Sequence, residues 1–403
     1  MNVLVHTTSL IPPLTGIGHY THQLLTHLVS DSRVHDIKAF MPLKHYSRQD
    51  LQQLLIALSQ PLEPKSGIAG KIKHSSPGYH SVLRRVASFI PGQRRLRQFV
   101  QQRLSSKFME RCSHYVYWEP NYILQPFDGA AIATVHDLSH IRYPEHHPQE
   151  RVRWLGDRLA DSLDRSAAVI AVSNFSKKEI NDVFNIDPTL IKVISPAVSD
   201  TFRQTRTAQE LHQLRQRYRL PSEYILSVGT LEPRKNIVGL ISAFGLLSSE
   251  LRQKFPLVLV GDSGWHNEKT TAMLQPYLRR GEIIQLGYVP QNDLPKLYAA
   301  ASLFAYVSFY EGYGMPIAEA MASGVAVVAS DRASMPEVAA GCAVLVNPDD
   351  IESIAAGLLQ ILEDSNDRNR RASIGKKKSV TYTWQRSADQ LVELFSSLEE
   401  TPA

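Results

Sequence analysis

Cysteine is nearly missing from this chain. Two occur in 403 residues, Cys112 and Cys342, far apart and without metal-ligand spacing, so a disulfide framework is not expected and a reducing cytosol is. Long apolar runs are missing too: none approaches the ~18–20 residues that span a bilayer, so any membrane contact is expected to be peripheral. The opening Met1-Asn-Val-Leu-Val-His6 has no basic start and no cleavage site, and reads as a short strand, not a signal peptide. Nothing like an Asp-x-Asp metal-nucleotide motif stands in a suitable context. Asp349-Asp350 lies in a late turn, and no metal is expected to be required.

Acidic residues are absent from Pro64 to Met109, although the whole chain has a net charge of only +5. Lys65, Lys71, Lys73, Arg84, Arg85, Arg94, Arg95, Arg97, Arg103 and Lys107 all fall there, interleaved with Val82, Leu83, Val86, Phe89 and Ile90 at near-helical spacing. Two readings stay open: a solvated basic helix pair, or a surface that meets anionic lipid or a phosphorylated acceptor. No recognition motif accompanies the charge, so nucleic acid is not an expected partner.

What is present is a long series of short apolar strands. In the first half they are 3–5, 37–40, 131–135, 168–172 and 192–194; in the second, 224–228, 257–260, 283–286, 303–307 and 325–329. Continuous Val/Ile/Leu runs suit strands buried on both faces of a parallel sheet covered by helices. The length favours two domains, and the polar stretch 199–219 has no strand. The expectation is therefore α/β, with two Rossmann-like domains, 1–200 and 201–383, facing across a cleft. A final amphipathic helix, 384–398, is free to pack on either. Ligands of such sheets bind beyond the carboxyl ends of the strands.

The most informative stretch is Phe309-Tyr-Glu-Gly-Tyr-Gly-Met-Pro-Ile-Ala-Glu-Ala-Met-Ala-Ser-Gly324. Gly312 and Gly314 permit tight turns and close approach of a ligand, and Pro316 suits the first turn of a helix. The backbone of Gly312, Tyr313, Gly314 and Met315 should then aim free N–H groups at an anion such as a diphosphate. Glu311 and Glu319 bracket that site, and carboxylates accept well from vicinal hydroxyls, which suggests sugar rings on either side.

The spacing Glu311-x7-Glu319 within Glu-Gly-Tyr-Gly-Met-Pro resembles the hallmark of the retaining GT-B glycosyltransferases of family 4, a group rich in bacterial mannosyltransferases. Other segments match in order: Thr15-Gly-Ile-Gly18, Thr134-Val-His-Asp137, Ser227-Val-Gly-Thr-Leu-Glu-Pro-Arg-Lys-Asn236 and Leu286-Gly-Tyr-Val-Pro290. The resemblance implies a metal-independent enzyme that moves a hexose from a nucleotide diphosphate sugar to a hydroxyl of a glycan or lipid-linked glycan in polysaccharide or O-antigen synthesis. A GDP-linked, mannose-type donor is favoured.

The resemblance also implies roles. Glu311 would contact donor-sugar hydroxyls, and His136 would sit near the reacting sugar. Glu319 would hold the ribose, while Tyr288 and Val289 would meet the base. Lys235, the amides of 312–315 and the loop of Gly16 and Gly18 would approach the diphosphate. Thr230 stands where the family commonly has arginine, and Arg234 is expected to supply that charge. A covalent route through Glu311 would need a second carboxylate as acid, and none is evident. Asp137 is a weaker candidate, since Asp after a strand also caps helices; His140, His146 and His147 carry no functional expectation.

Two other classes remain. One is a catalytically silent GT-B sugar-binding scaffold. The other is an NAD-dependent dehydrogenase, suggested by Gly16-x-Gly18-x-x-Thr21. That motif lacks its third glycine, begins well beyond its strand, and is not followed by a ribose-binding carboxylate on the next strand.

Overall fold

A computed structural model describes residues 1–12, 14–42, 44–59, 107–262 and 268–399. The basic segment lies outside the described residues apart from Lys107. The chain divides into two compact units. One comprises Met1–Pro120, Leu124–Ala131 and Phe395–Ala403; the other comprises Asn121–Ile123 and Ile132–Leu394. The division at residue 200 expected above follows a different criterion, the change from one series of strands to the next.

In the first unit, β1 (Asn2–His6) runs parallel to β2 (Asp36–Met41) and to β4 (Val116–Glu119), and β3 (Lys44–Tyr46) is antiparallel to β2. Their order is β3-β2-β1-β4. Leu4, Phe40, Tyr117 and Trp118 are fully buried among them. β4 has no aliphatic run to betray it. All four of its residues are buried, including Glu119, whose Oε2 accepts from Tyr117 Oη at 2.7 Å and lies 2.7 Å from His6 Nδ1. A buried carboxylate is tolerated only when bonded in this way.

The second unit holds β5 (Ala131–Val135, counted here from Ile132), β6 (Ala168–Ala171) and β7 (Ile191–Val193), paired parallel in that order. It also holds a fully parallel sheet of β8 (Ile225–Val228), β9 (Leu257–Val260), β10 (Ile283–Gly287), β11 (Leu303–Tyr306), β12 (Val327–Ser330) and β13 (Val344–Val346). The order of this sheet is β10-β9-β8-β11-β12-β13. Strands β9, β11 and β12 are buried at every residue, as runs of Val, Leu, Ala and Phe between two helical layers must be. Ile225, Leu257, Leu303 and Val328 join Phe244 and Leu358 from the covering helices in one core.

The stretch 199–219 lacks a strand and instead forms the helix Ala208–Tyr218, started by a capping box between Thr207 and Glu210. The final helix runs Trp384–Glu399. Ser387 donates to the Ser195 carbonyl at 2.7 Å within the second unit, and Phe395 lies against Trp118 within the first. No helix among the described residues is long and apolar enough to cross a membrane. Both cysteines are free and buried.

Candidate active site

Strand order reverses between β8 and β11. The chain leaves β8 towards β9 on one side and returns to β11 on the other, which opens a crevice beyond their carboxyl ends. The loop after β8 carries Arg234 and Lys235; the loop after β11 carries Glu311. Asn236 fixes the first loop in a left-handed turn with φ 54°. Its side chain accepts from Gly239 N and donates to the carbonyls of Val307 and Pro348.

The two loops meet through charge. Glu311 is 7% exposed. Its Oε2 accepts from Arg234 at 2.8 Å, and its Oε1 accepts from Lys235 Nζ at 2.6 Å and from the Tyr306 hydroxyl at 2.9 Å. Burial alone would raise the Glu311 carboxyl, but Arg234 and Lys235 hold it down to about 2. Arg234 also donates to Glu232 at 2.7 Å and to the Tyr310 carbonyl at 2.8 Å. Burial would weaken its charge, yet Glu311, Asp137 and Glu232 keep it firmly protonated. Lys235 differs: burial draws its ammonium below the ordinary range, and Glu311 restores that only in part.

The loop after β11 is docked on the segment after β5. The Tyr310 hydroxyl accepts from Leu138 N at 3.1 Å and donates to Glu179, which also accepts from Arg142 at 2.6 Å. The hydroxyls of Ser173 and Ser176 donate to the Gly312 carbonyl at 2.6 and 3.1 Å. A Cβ on Gly312 would stand 1.7 Å from the His136 carbonyl oxygen, so this glycine is required by close backbone approach. His136 is half-buried at the end of β5, its ring 5.9 Å from that of Tyr122. Asp137 Oδ1 accepts from the amide and hydroxyl of Ser139, a capping arrangement, and His147 Nε2 lies 2.9 Å from that hydroxyl. Burial would raise the Asp137 carboxyl, but the Arg234 charge and the Ser139 bonds bring it to about 2.

The Gly-Tyr-Gly-Met turn has a distinct polarity. Its carbonyls face inward: Tyr310 O takes Arg234, Gly312 O takes the two serines, and Ser334 Oγ lies 2.8 Å from both Glu311 O and Tyr313 O. Gly314 adopts φ 99°, where glycine is favoured, and starts the helix Met315–Ala322 with Pro316 in its first turn. The amides of Gly312, Tyr313, Gly314 and Met315 make no hydrogen bond to another described residue. The Tyr313 side chain points elsewhere, lining a cavity of about 380 Å³ with Asn174, Glu337 and Tyr382.

One turn into that helix, Glu319 is half-buried, and burial pushes its carboxyl up to about 7, with the Tyr298 hydroxyl opposing the rise. Tyr288 follows β10 and stands 66% exposed, while Val289 is buried. Gly16 and Gly18 belong to the other compact unit, at the start of the helix Gly16–Leu28. A Cβ on Gly18 would meet the Ser9 carbonyl at 2.6 Å, whereas Gly16 has open space around it. Second-unit geometry thus brings together His136, Arg234, Lys235, Glu311 and the 312–315 turn. It adds four residues to which the sequence assigned no role: Glu232, Tyr306, Tyr310 and Ser173.

Comparison with known proteins bears on the family and the fold. Residues 15–202 match the model for Glycosyltransferase Family 4, and residues 212–378 that for Glycosyl transferases group 1. The chain is 34% identical over 399 residues to O-antigen chain mannosyltransferase B of Escherichia coli, covering 99% of this chain and 100% of that protein. It is 32% identical over 258 residues to the serotype-specific mannosyltransferase WbdA of Escherichia coli, covering 61% of this chain but 32% of that one. In fold it is similar to HepE of Anabaena, solved in complex with UDP and glucose, with a TM-score of 0.71, 19% identity, and 99% and 100% of the two chains covered. Two α/β domains with parallel sheets, both family models and a full-length relative lead to one assignment: the chain is a GT-B glycosyltransferase of family 4, similar to bacterial O-antigen mannosyltransferases.

Proposed function

We propose that this glycosyltransferase moves a mannose-type hexose from a GDP-linked donor to a hydroxyl of a glycan or lipid-linked glycan, with retention of configuration, in O-antigen-type synthesis at the cytoplasmic face of the membrane. The observation that carries the reading is the turn at 312–315, whose carbonyls are taken up by the protein while its amides have no described partner. Such a turn, continued by a helix N-terminus, favours an anion. In this reading the β-phosphate meets those amides, Lys235 and Arg234 supply positive charge beside the leaving diphosphate, and Glu319 accepts from the ribose hydroxyls. Tyr288 and Val289 meet the base, and Gly16 and Gly18 belong to the diphosphate loop. Fixed charges aimed at a leaving group stabilise the charge that grows as the bond breaks.

Glu311 takes the sugar hydroxyls. Held ionised by two cations, it accepts without titrating near neutral pH. His136 bonds a donor hydroxyl or steadies the oxocarbenium-like sugar. The acceptor attacks on the face the diphosphate leaves, and a phosphate oxygen takes its proton, so no metal enters the step. The mannose and O-antigen assignments draw on the likeness to O-antigen chain mannosyltransferase B.

Donor hydrolysis across GDP-, UDP- and dTDP-linked hexoses tests the reading. Turnover is expected with GDP-mannose above the others, and the new product bond should keep the donor's anomeric configuration by NMR. Preference for a UDP- or dTDP-sugar, or an inverted product, would overturn the donor or the stereochemical part respectively.

A further inference from the structure

Tyr306 closes β11 and is 4% exposed. Its hydroxyl lies 2.8 Å from Lys235 Nζ and 2.9 Å from Glu311 Oε1. The directions are forced, because an ammonium only donates and a carboxylate only accepts. The tyrosine oxygen therefore accepts from Lys235 and donates its own O–H to Glu311. Lys235 also reaches Oε1 directly at 2.6 Å, so the three groups form a closed ring. The aromatic ring is held as well, stacked on Phe304 at 5.9 Å and 5.2 Å from Nζ.

This arrangement raises a conflict within the proposed function, on which the inference rests. A diphosphate drawn to Lys235 competes with Glu311 for the same ammonium. Once Lys235 turns to phosphate, Arg234 still holds Oε2, but a carboxylate anchored through one oxygen can swing about that contact. We propose that Tyr306 is a positioning residue that keeps Glu311 aimed at the donor sugar when Lys235 engages the diphosphate. Its hydrogen bond to Oε1 does not depend on Lys235, and freeing the lone pair that Lys235 occupied leaves the O–H committed to the carboxylate. The same bond favours the ionised carboxylate at the moment when one of its two cations is drawn away.

Tyr306→Phe tests this, since it keeps the ring and its stacking on Phe304 and removes one oxygen. Affinity for GDP, measured calorimetrically, should stay within about twofold of wild type, while kcat falls about 10–100-fold with little change in KM. The acid limb of the kcat–pH profile should move to higher pH, because Glu311 loses a donor that stabilises its charge. In a Glu311→Gln background the same change should add little, as coupled residues do in a double-mutant cycle. Wild-type kcat with an unmoved acid limb overturns the proposal, and so does a drop in kcat that adds in full to that of Glu311→Gln. Lys235→Ala, titrated with GDP in parallel, separates the two levels. Undiminished GDP affinity there would fail the diphosphate reading itself, whatever Tyr306→Phe does.

Discussion

At the residue scale, the candidate site holds two glutamates whose carboxyls are shifted in opposite directions. Glu311 sits between Arg234 and Lys235 and is kept at about 2 against its burial. Among the described residues no cation pairs with Glu319, and burial pushes it up to about 7. The sign of each matters. Glu311 remains ionised across the physiological range, and its contribution to stability is present above the ordinary carboxylate range and lost as pH falls through about 2. Glu319 is the reverse: its protonated form suits the fold, so that contribution is present in acid and lost as pH rises through about 7. Ribose hydroxyls donate to the ionised form, so nucleotide binding at pH 6 should release a proton from Glu319, and affinity should rise between pH 6 and 8. Calorimetry in two buffers of different ionisation enthalpy would reveal the proton. Glu319→Gln should abolish both the proton release and the pH dependence, and unchanged proton release would reassign the group.

Sequence alone suggested both glutamates, because their spacing around a Gly-Tyr-Gly turn carries chemical meaning. It gave no hint that Lys235 is bonded to Glu311 before any ligand arrives, nor that Glu232 and Asp137 also bear on Arg234. The Lys235–Glu311 and Arg234–Asp137 pairings join residues 76 and 97 positions apart, which local spacing cannot encode, whereas Glu232 lies only two residues from Arg234.

At the scale of elements, the longer aliphatic strands were legible and the short or aromatic ones were not. β9, β11 and β12 announce themselves as uninterrupted apolar runs. β4 escapes because its burial is achieved with Tyr117, Trp118 and a bonded Glu119, and β3 and β13 are three-residue edge strands. The helix at 208–218 was legible in principle, since Thr207-x-x-Glu210 is a capping-box pattern, but a polar stretch draws attention as a linker first.

The glycines make a sharper test of element packing. Gly312 was expected to make room for a ligand, and its missing Cβ in fact makes room for the His136 carbonyl. Gly312→Ala should therefore displace the loop and cut transfer by about 100-fold or more, on the scale of losing a preorganised donor at the reacting centre. Gly16→Ala meets no protein atom within 4 Å, so stability should stay within about 0.5 kcal/mol, while kcat/KM should fall because the diphosphate loop approaches the donor at that glycine. Unchanged kcat/KM would remove Gly16 from the diphosphate site. Wild-type transfer by Gly312→Ala would mean the docking of its loop on β5 is dispensable.

At the scale of the whole molecule, the fold rests on features spread across the chain: parallel sheets covered by helices, a switch-point crevice in the second sheet, and a docked loop that holds Glu311. The two-domain organisation was readable because strand runs recur along the chain with helical stretches between them. The compact units were not. They are cut at 120–132 and 394–395, set by how the final helix and the residues around β5 pack, and packing of that kind has no periodicity to read.

The central claim is that Glu311, fixed by Arg234, Lys235 and Tyr306, is where the donor sugar is held for transfer. Mannose transfer from GDP-mannose to a lipid-linked glycan acceptor, compared between wild type and Glu311→Gln, tests it most directly. The substitution preserves shape and removes the charge. Wild type should transfer mannose and the variant should lose about 100-fold or more in kcat, with GDP affinity equal to wild type or tighter because Lys235 is released from its carboxylate partner. Transfer by Glu311→Gln within a few-fold of wild type, with the fold intact, would contradict it.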